Sequence, residues 1–337
     1  MSILVTGGLG FIGSHTVVEL LENDYDVIVI DNLSNSDIDV KKNIEKITNK
    51  NFKFYEGDVC DLDLLDVIFS ENEIDSVIHF AGYKAVGESV EKPIMYYENN
   101  LVSTLHLCKK MIEYDCDKII FSSSATVYGD PEVLPITEDC KVGGTTNPYG
   151  TSKLMIERIL KDICISNSKF TAVVLRYFNP IGSHPSGLIG EKPNGIPNNL
   201  MPYIVRVANG ELKILSIFGN DYDTHDGTGV RDYIHVVDLA KGHIKALEKA
   251  KKSDGISYYN LGTGVGYSVL DLVNSFKKVN NVDVPYQIVE RRPGDIACCY
   301  ADPSKALKEL GWKAELGIDD MVKDSYNYIK VQERMLQ

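Results

Sequence analysis

The chain has 337 residues, 44% hydrophobic and 25% charged, which suits a soluble globular protein of about two domains with a sizeable core. Its 35 Lys and Arg against 48 Asp and Glu give a formal net charge of −13, which argues against a general binder of nucleic acid or of anionic membranes. No apolar run reaches the ~18 residues of a membrane span, and functional sequence begins at residue 3 with no basic leader ahead of it, so a cytoplasmic protein is expected.

The first element in the chain is an apolar strand over 3–6, closed by the turn Thr6-Gly7-Gly8-Leu9-Gly10-Phe11-Ile12-Gly13. A helix follows, then a second strand over 27–31 that ends in Asp31. Glycines at 7, 10 and 13 let the backbone approach a pyrophosphate, and the helix N-terminus supplies free N–H groups and positive dipole charge. Asp31, 18 residues past Gly13, stands where a carboxylate accepts from both hydroxyls of an adenosine ribose and repels a 2′-phosphate, so NAD is expected rather than NADP. Further strands are expected over 52–56, 76–80, 118–122 and 171–175, with the clearest helices over 94–114 and 152–167. This alternation predicts an α/β fold, a doubly wound Rossmann-type parallel sheet with helices on both faces. Ligands then bind at the carboxyl ends of the strands, which singles out Asp31, Asp58, residues 79–84 and Ser122 to Ser124.

After about residue 177 the character changes. Residues 179–199 are rich in Gly, Pro and Asn, as loops closing over a ligand are. A helix is expected over 200–209, and residues 231–249 turn helical in their later part. The division expected is a dinucleotide-binding domain over 1–177, to which about 231–259 return, and a smaller α/β substrate domain over 178–337. Gly262-Thr263-Gly264-Val265-Gly266 resembles a second phosphate loop, but no ribose-binding acid follows at the right distance. A turn before a helix capped by Ser268 is the favoured reading.

The seven cysteines, Cys60, Cys108, Cys116, Cys140, Cys164, Cys298 and Cys299, contain no C-x-x-C pair and are expected to be reduced and mostly buried. The histidines show no ligand spacing, and no metal site is expected.

A nicotinamide reaction needs a group that exchanges the proton of the substrate hydroxyl. Tyr149 and Lys153, four apart at the start of a helix, share one face. An ammonium about 6 Å from the phenol, at an effective dielectric of about 20, favours the phenolate by roughly 2.8 kcal/mol, about two pKa units, while burial works the other way. The same spacing occurs at Tyr114–Lys118 and Tyr326–Lys330, but only Tyr149 opens a helix and follows a hydroxyl-rich strand end, where Ser124 can hydrogen-bond the reacting group. Arg231, Arg291 and Arg292 are candidates for a diphosphate clamp.

Together these residues resemble the extended short-chain dehydrogenase/reductases, and longer strings resemble the UDP-galactose 4-epimerase family within them. These are His79-Phe80-Ala81-Gly82, residues 84–90 (KAVGESV), 121–129 (FSSSATVYG), 175–180 (LRYFNP), 195–203 (GIPNNLMPY), 217–222 (IFGNDY) and 226–235 (DGTGVRDYIH). The resemblance covers essentially the whole chain. It implies NAD-dependent C4 epimerisation of a UDP-sugar through a transient 4-keto sugar, with Tyr149, Lys153 and Ser124 catalytic, in a homodimeric enzyme serving galactose metabolism and glycan precursor supply. It places NAD on Gly7, Gly10, Phe11, Ile12, Gly13, Asp31, Asn32, Leu33, Ser34, Asn35, Ser36, Asp58, Val59, Phe80, Ala81, Gly82, Tyr83, Lys84, Asn99, Ser124, Tyr149, Lys153 and Phe178. It places the nucleotide sugar on Ser124, Tyr149, Asn179, Asn199, Leu200, Ser216, Ile217, Phe218, Arg231, Arg292, Asp295 and Cys299. Many members of the family carry a tyrosine at position 299, beside the sugar's C2 substituent. Cysteine there leaves room for an N-acetyl group, so UDP-GlcNAc and UDP-GalNAc are expected as substrates beside UDP-glucose and UDP-galactose. A nucleotide-sugar 4,6-dehydratase would need a carboxylate pair beside Ser124, where Ala125-Thr126 stand, and a non-catalytic NAD-sensing regulator would not need Ser124, Tyr149 and Lys153 together.

Overall fold

The computed structural model describes residues 2–192, 197, 199–292 and 295–336. Five apolar strands, each buried along most of its length, build the middle of a sheet: β1 (Ser2–Thr6), β2 (Val27–Asp31), β4 (Ile74–His79), β5 (Lys118–Ser124) and β6 (Thr171–Tyr177). Near-continuous apolar runs are what a sheet buried on both faces demands. The more polar β3 (Lys53–Glu56) takes one edge, and β10 (Gly255–Leu261) the other. Among the described residues these form a seven-stranded, wholly parallel sheet in the order β10-β6-β5-β4-β1-β2-β3. The strand order reverses between β1 and β4, where doubly wound sheets hold their ligands.

One face packs on α1 (Phe11–Glu22), α2 (Asp39–Thr48) and α8 (Val236–Ala250) through Ile3, Val5, Val29, Val173 and Leu239. The other packs on α3 (Leu62–Glu71), α5 (Pro93–Glu113) and α6 (Pro148–Ser166) through Leu4, Ile30, Leu107, Phe121 and Ile156. The short α4 (Val86–Glu91) precedes α5. Two strands outrun their expected ends: β5 continues through Ser124 and β6 through Tyr177, because Ser122, Ser123 and Ser124 pair in register with Leu175, Arg176 and Tyr177. The hydroxyl-rich segment is therefore the end of the strand itself. Helix α6 starts four residues earlier than its apolar periodicity suggests, with Pro148 in its first turn and the Asn147 side chain accepting from the Gly150 N–H at 2.8 Å.

Past β6 a second region gathers β7 (Asn179–Ile181), α7 (Leu200–Ala208), β8 (Leu215–Phe218), β9 (Val230–His235), β11 (Gly266–Ser268), α9 (Val269–Asn280), β12 (Tyr286–Val289), β13 (Cys298–Cys299) and α11 (Ile318–Leu336), while α10 (Ser304–Leu310) returns to the first core through Ala306 and packs on β10 and α8. Ile204, Ile217, Phe276 and Met321 lie at its centre. Strand β9 pairs with β7, β11 and β13, and β8 pairs with β12. The chain between β9 and β11 leaves this region: α8 packs on α1, and β10 pairs with β6 over its full length.

The Gly262–Gly266 turn does not present an open phosphate cradle. The buried Asp232 carboxylate accepts from the N–H groups of Thr263 (2.8 Å), Gly264 (3.1 Å) and Ala301 (3.1 Å), and Ser268 with Asp271 forms a capping box on α9. All seven cysteines are free; Cys108, Cys116 and Cys164 are buried, while Cys60, Cys140, Cys298 and Cys299 are half-buried, less enclosed than expected. Among the described residues no helix is long and apolar enough to cross a membrane.

Candidate active site

The chain leaves β1 through Gly7, at φ +67°, and enters α1 at Phe11. A Cβ on Gly7 would lie 2.9 Å from the Ala81 nitrogen, and one on Gly13 2.2 Å from the Gly7 carbonyl oxygen. Only glycine lets the turn, the helix and the loop after β4 close together. Gly10 caps α1 without a side chain, so the first helical N–H groups, at Phe11 and Ile12, face outward as an anion site.

Asp31 is 8% exposed at the end of β2. One carboxylate oxygen accepts from the Leu9 N–H (3.0 Å), the other from the Leu33 N–H (3.0 Å) and the Ser36 hydroxyl (2.8 Å). Leu33 takes a positive φ of 57° in this loop. Asn32 donates to the Asp58 carboxylate at 2.9 Å, which ties residues 31–36 to the segment carrying Asp58 and Val59 after β3. The Ser34 N–H donates to the Asn32 side-chain carbonyl at 3.1 Å, and Asn35 follows in the same loop. The loop Phe80 to Lys84 leaves β4 beside the glycine turn, its Ala81 N–H donating to Thr6 Oγ1 at 3.2 Å. The expected NAD residues thus fall at the carboxyl ends of β1 to β6, with Asn99 reaching in from α5 and Phe178 following β6. The glycine cradle, the uncapped helix and the anchored carboxylate fit an adenine dinucleotide.

Sequence reading missed the supports beneath this edge. Asn100, buried on α5, accepts from the Tyr83 N–H at 2.8 Å and donates to the Tyr83 carbonyl and to Ser152 Oγ, which ties the 80–84 loop to α6. His79 is locked between Thr6 and Thr104, and burial lowers it to about 3, so it is a neutral core residue. Glu191 accepts from Asn199 at 2.8 Å and pairs with Lys84 at 3.7 Å, joining an expected cofactor contact to an expected substrate contact. Asn100 lacks any motif; only its place as a polar residue on the core face of α5 signals it.

Tyr149 and Lys153 lie one turn apart in α6, with the Lys153 ammonium 5.9 Å from the centre of the Tyr149 ring. Lys153 is 5% exposed, and its Nζ donates to the Ser122 carbonyl at 2.8 Å. Burial lowers it to about 8, opposed by Glu157. Ser124 Oγ accepts from the N–H (3.2 Å) and hydroxyl (3.0 Å) of Thr126, which orients its own proton away from that residue. The field of Lys153 and burial are expected to oppose each other at Tyr149, and the structure gives the sign. Burial raises the Tyr149 phenol above its ordinary value, the Ser124 hydroxyl pulls it down, and burial wins.

On the substrate side, Arg231 of β9 pairs with Asp295 and sits in register with Cys299 of β13. Arg292 stacks over the Phe218 ring at 4.0 Å, at the end of the β8 stretch Ser216, Ile217, Phe218, and Gln287 donates to Ser216 at 3.3 Å. Arg291 instead turns to Asp221 at 2.7 Å and to the Tyr222 ring, so it does not join the other two arginines. Asn179 lies in β7, Asn199 and Leu200 at the start of α7. Residues 193–196 and Asn198, within or just before the 195–203 string, lie outside the described residues, as do Pro293 and Gly294. Cys299 packs against the cluster of Val127, Tyr128, Leu154, Phe178 and Ala301, which includes Leu154, next in sequence to the expected site residue Lys153, and Val127, three beyond Ser124.

The model of the family described as GDP-mannose 4,6 dehydratase matches residues 4–325. A UDP-glucose 4-epimerase of Haemophilus influenzae is 62% identical over 330 residues, 98% of each chain. Among solved structures, the UDP-glucose 4-epimerase of Bifidobacterium longum in complex with NAD+ and UDP is 58% identical, covers 99% of each chain and superposes with a TM-score of 0.95. The UDP-Glc/GlcNAc 4-epimerase of Campylobacter jejuni is 34% identical, covering 98% of this chain and 99% of that one, with a TM-score of 0.86.

Proposed function

The chain belongs to the UDP-glucose 4-epimerases, within the extended short-chain dehydrogenase/reductases, and on that premise we propose which of its residues perform the reaction and how far its substrate range extends. The activity is NAD-dependent C4 epimerisation of UDP-hexoses. Bound NAD supplies the hydride acceptor and donor, so there is no net redox change. Tyr149 takes the proton of the sugar 4-hydroxyl as the C4 hydrogen leaves, and returns it once the 4-keto sugar has turned. Ser124 donates to the same oxygen, and Lys153 stabilises the phenolate electrostatically. The observation that carries this assignment is the meeting of Tyr149, Lys153 and the Ser124 end of β5 at the strand ends that also carry the glycine turn. A dehydratase reading lacks support because Ala125 and Thr126 follow Ser124, and Thr126 directs both its donors to Ser124. In a Tyr149→Phe variant, turnover should fall by at least about 100-fold, the scale of one general base, while NAD stays bound. Unchanged turnover would remove Tyr149 from the role.

The nucleotide is held by Asn179, Asn199, Leu200, Ser216 to Phe218, Arg231, Arg292 and Asp295, and the hexose lies beside Cys299. The half-buried cysteine leaves space for a C2 N-acetyl group, so the range includes UDP-GlcNAc and UDP-GalNAc; the likeness to a UDP-Glc/GlcNAc 4-epimerase supports this extension. The cofactor domain comprises 1–177 together with 236–261, which carry α8 and β10 of the central sheet; the returning segment starts later than the expected 231 because β9 pairs with β7, β11 and β13, and the remainder of 178–337 forms the substrate domain. The protein is a cytoplasmic homodimer. Seven free thiols suit a reducing compartment. On α5, Ile94, Leu105 and Ile112 are 71%, 46% and 46% exposed and share one helical face, with Met155 of the adjacent α6 41% exposed. An apolar stripe of that kind is what a second copy would cover.

A further inference from the structure

Ser123, Arg176 and Asn260 are register partners across β5, β6 and β10, so their side chains stand in a row on one sheet face. Each is at most 4% exposed. Glu157, 2% exposed and one turn beyond Lys153 on α6, faces the row. One of its oxygens accepts from the Ser123 hydroxyl (2.5 Å) and Arg176 Nε (3.0 Å), the other from Arg176 Nη2 (2.6 Å). Arg176 Nη1 donates to the Tyr128 hydroxyl at 3.0 Å, and that hydroxyl donates to the Asn260 side-chain carbonyl at 2.7 Å. The Asn260 amide donates to the Ile136 carbonyl at 2.9 Å. Ile136 is laced to the segment after Cys299: its N–H donates to the Tyr300 carbonyl (2.9 Å), and its carbonyl accepts from the Asp302 N–H (2.8 Å). An unbroken path of hydrogen bonds therefore runs from the residue before Ser124 to the residue after Cys299.

A buried ion pair is a poor source of net stability, since desolvation of both charges offsets their attraction. Its better-attested use is to fix one arrangement. Here the path ends at two places where small displacements matter for rate and for fit, the catalytic hydroxyl pair and the wall beside the sugar. Resting on the epimerase reading above, we propose that Glu157, Arg176, Tyr128 and Asn260 are positioning residues that hold the Ser124–Lys153 end of β5 and α6 at a set separation from the Cys299 wall. The two ends of the path then have separable effects. The Ser123 end sets the reacting hydroxyls, and the Tyr128–Asn260 end sets the wall.

The test uses the full-length, NAD-loaded enzyme and two single-hydroxyl deletions, Ser123→Ala and Tyr128→Phe. For each, KM and kcat are measured with UDP-glucose and UDP-N-acetylglucosamine, along with bound NADH absorbance during turnover and the thermal midpoint. Tyr128→Phe deletes both the bond accepted from Arg176 and the bond donated to Asn260, so it should raise KM by at least about fivefold, the worth of one hydrogen bond, and should change the preference between the two sugars. Its loosened wall should also let the 4-keto sugar escape. The hydride removed from C4 then stays behind, one NADH per ketone released, and the absorbance climbs. Ser123→Ala should lower kcat by a similar factor at unchanged KM. A purely structural role would lower the thermal midpoint and the active fraction, yet leave KM, sugar preference and NADH per folded enzyme as in the wild type; that result overturns the proposal. If one variant does not fold, the other still decides. Absence of wild-type turnover of UDP-glucose would overturn the epimerase reading and this inference with it, whereas wild-type turnover with unaltered variants overturns this inference alone.

Discussion

Replacing Lys153 by Met removes one charge while keeping the length and apolar stem of a side chain that is 5% exposed. With the ammonium 5.9 Å from the centre of the Tyr149 ring, Coulomb's law at an effective dielectric of about 20 gives about 2.8 kcal/mol in favour of the phenolate, or about two pKa units. Burial already raises the phenol, so the loss of this field compounds the burial effect. The reactive form of Tyr149 is the phenolate, and its fraction falls tenfold per unit below the apparent pKa. Turnover on the acid side should therefore drop about 100-fold, and the acid limb of the rate profile should move up by about two units. Burial lowers Lys153 to about 8 while it raises the Tyr149 phenol, so above about pH 8 the loss of the ammonium offsets the gain in phenolate and wild-type turnover should level off, whereas the variant's should keep rising and the gap between them should narrow. Anomeric-proton NMR of UDP-glucose conversion at pH ~6 to ~10 reads both limbs, with NAD occupancy held at saturation. An acid limb that stays in place would refute the electrostatic role, and a uniform loss at every pH would assign Lys153 to cofactor binding alone.

Replacing Cys299 by Tyr should overfill the space beside the C2 substituent, at about 1–3 kcal/mol for the larger substrate. That lowers kcat/KM for UDP-N-acetylglucosamine about 5- to 150-fold with little change for UDP-glucose; equal loss on both, or none, removes the steric account. In Asp31→Asn the amide cannot accept from all three of Leu9 N–H, Leu33 N–H and Ser36 hydroxyl, and each bond to a charged acceptor contributes about 1.5–3 kcal/mol. NAD should therefore bind at least about 10-fold more weakly, as read by titration of stripped enzyme, and retained affinity would release Asp31 from the site. Leu105→Glu places a charge in the exposed stripe on α5 and should convert a dimer to a monomer by light scattering. A monomeric wild type would dispose of the proposed interface.

How much of this could be read beforehand varied with how local the cause was. The glycine turn, Asp31 and the order of strand and helix were legible because each rests on residues close in sequence. The Asn147-Pro148 start of α6 was signalled, yet apolar periodicity begins only at Ser152, and so the expected helix came out short. The extension of β5 through Ser124 was hidden for the opposite reason. Three serines carry no strand propensity of their own, and they remain in the sheet because β6 pairs with each of them. The sign of the Tyr149 shift was likewise out of reach, since it depends on how completely the fold surrounds the ring. Glu157, Arg176 and Asn260 lie up to 103 residues apart in the chain, and only the register of three strands reveals them as one cluster.

The same geometry accounts for an asymmetry that epimerisation requires. A sugar whose two faces must be presented in turn to one hydride site cannot be gripped at its ring, so the grip has to lie on the nucleotide. The proposed nucleotide contacts are the heavily tethered ones: Arg231 is paired with Asp295, Arg292 is stacked on Phe218, and Asn199 is bonded to Glu191. Cys299 packs on a mostly apolar cluster that includes Val127, Leu154, Phe178 and Ala301, with Arg231 beside it on β9 as its register partner. The apolar part of that wall offers no directional bond that would favour one orientation of the hexose, and Arg231 beside it is already paired with Asp295. In the proposed site the directional groups on that side are Ser124 and Tyr149, which would address the oxygen on C4 in either orientation, so that rotation costs the intermediate no bond that it does not regain. The buried ion pair behind the wall then has a clear purpose: a wall without directional bonds to its substrate must take its placement from the protein interior.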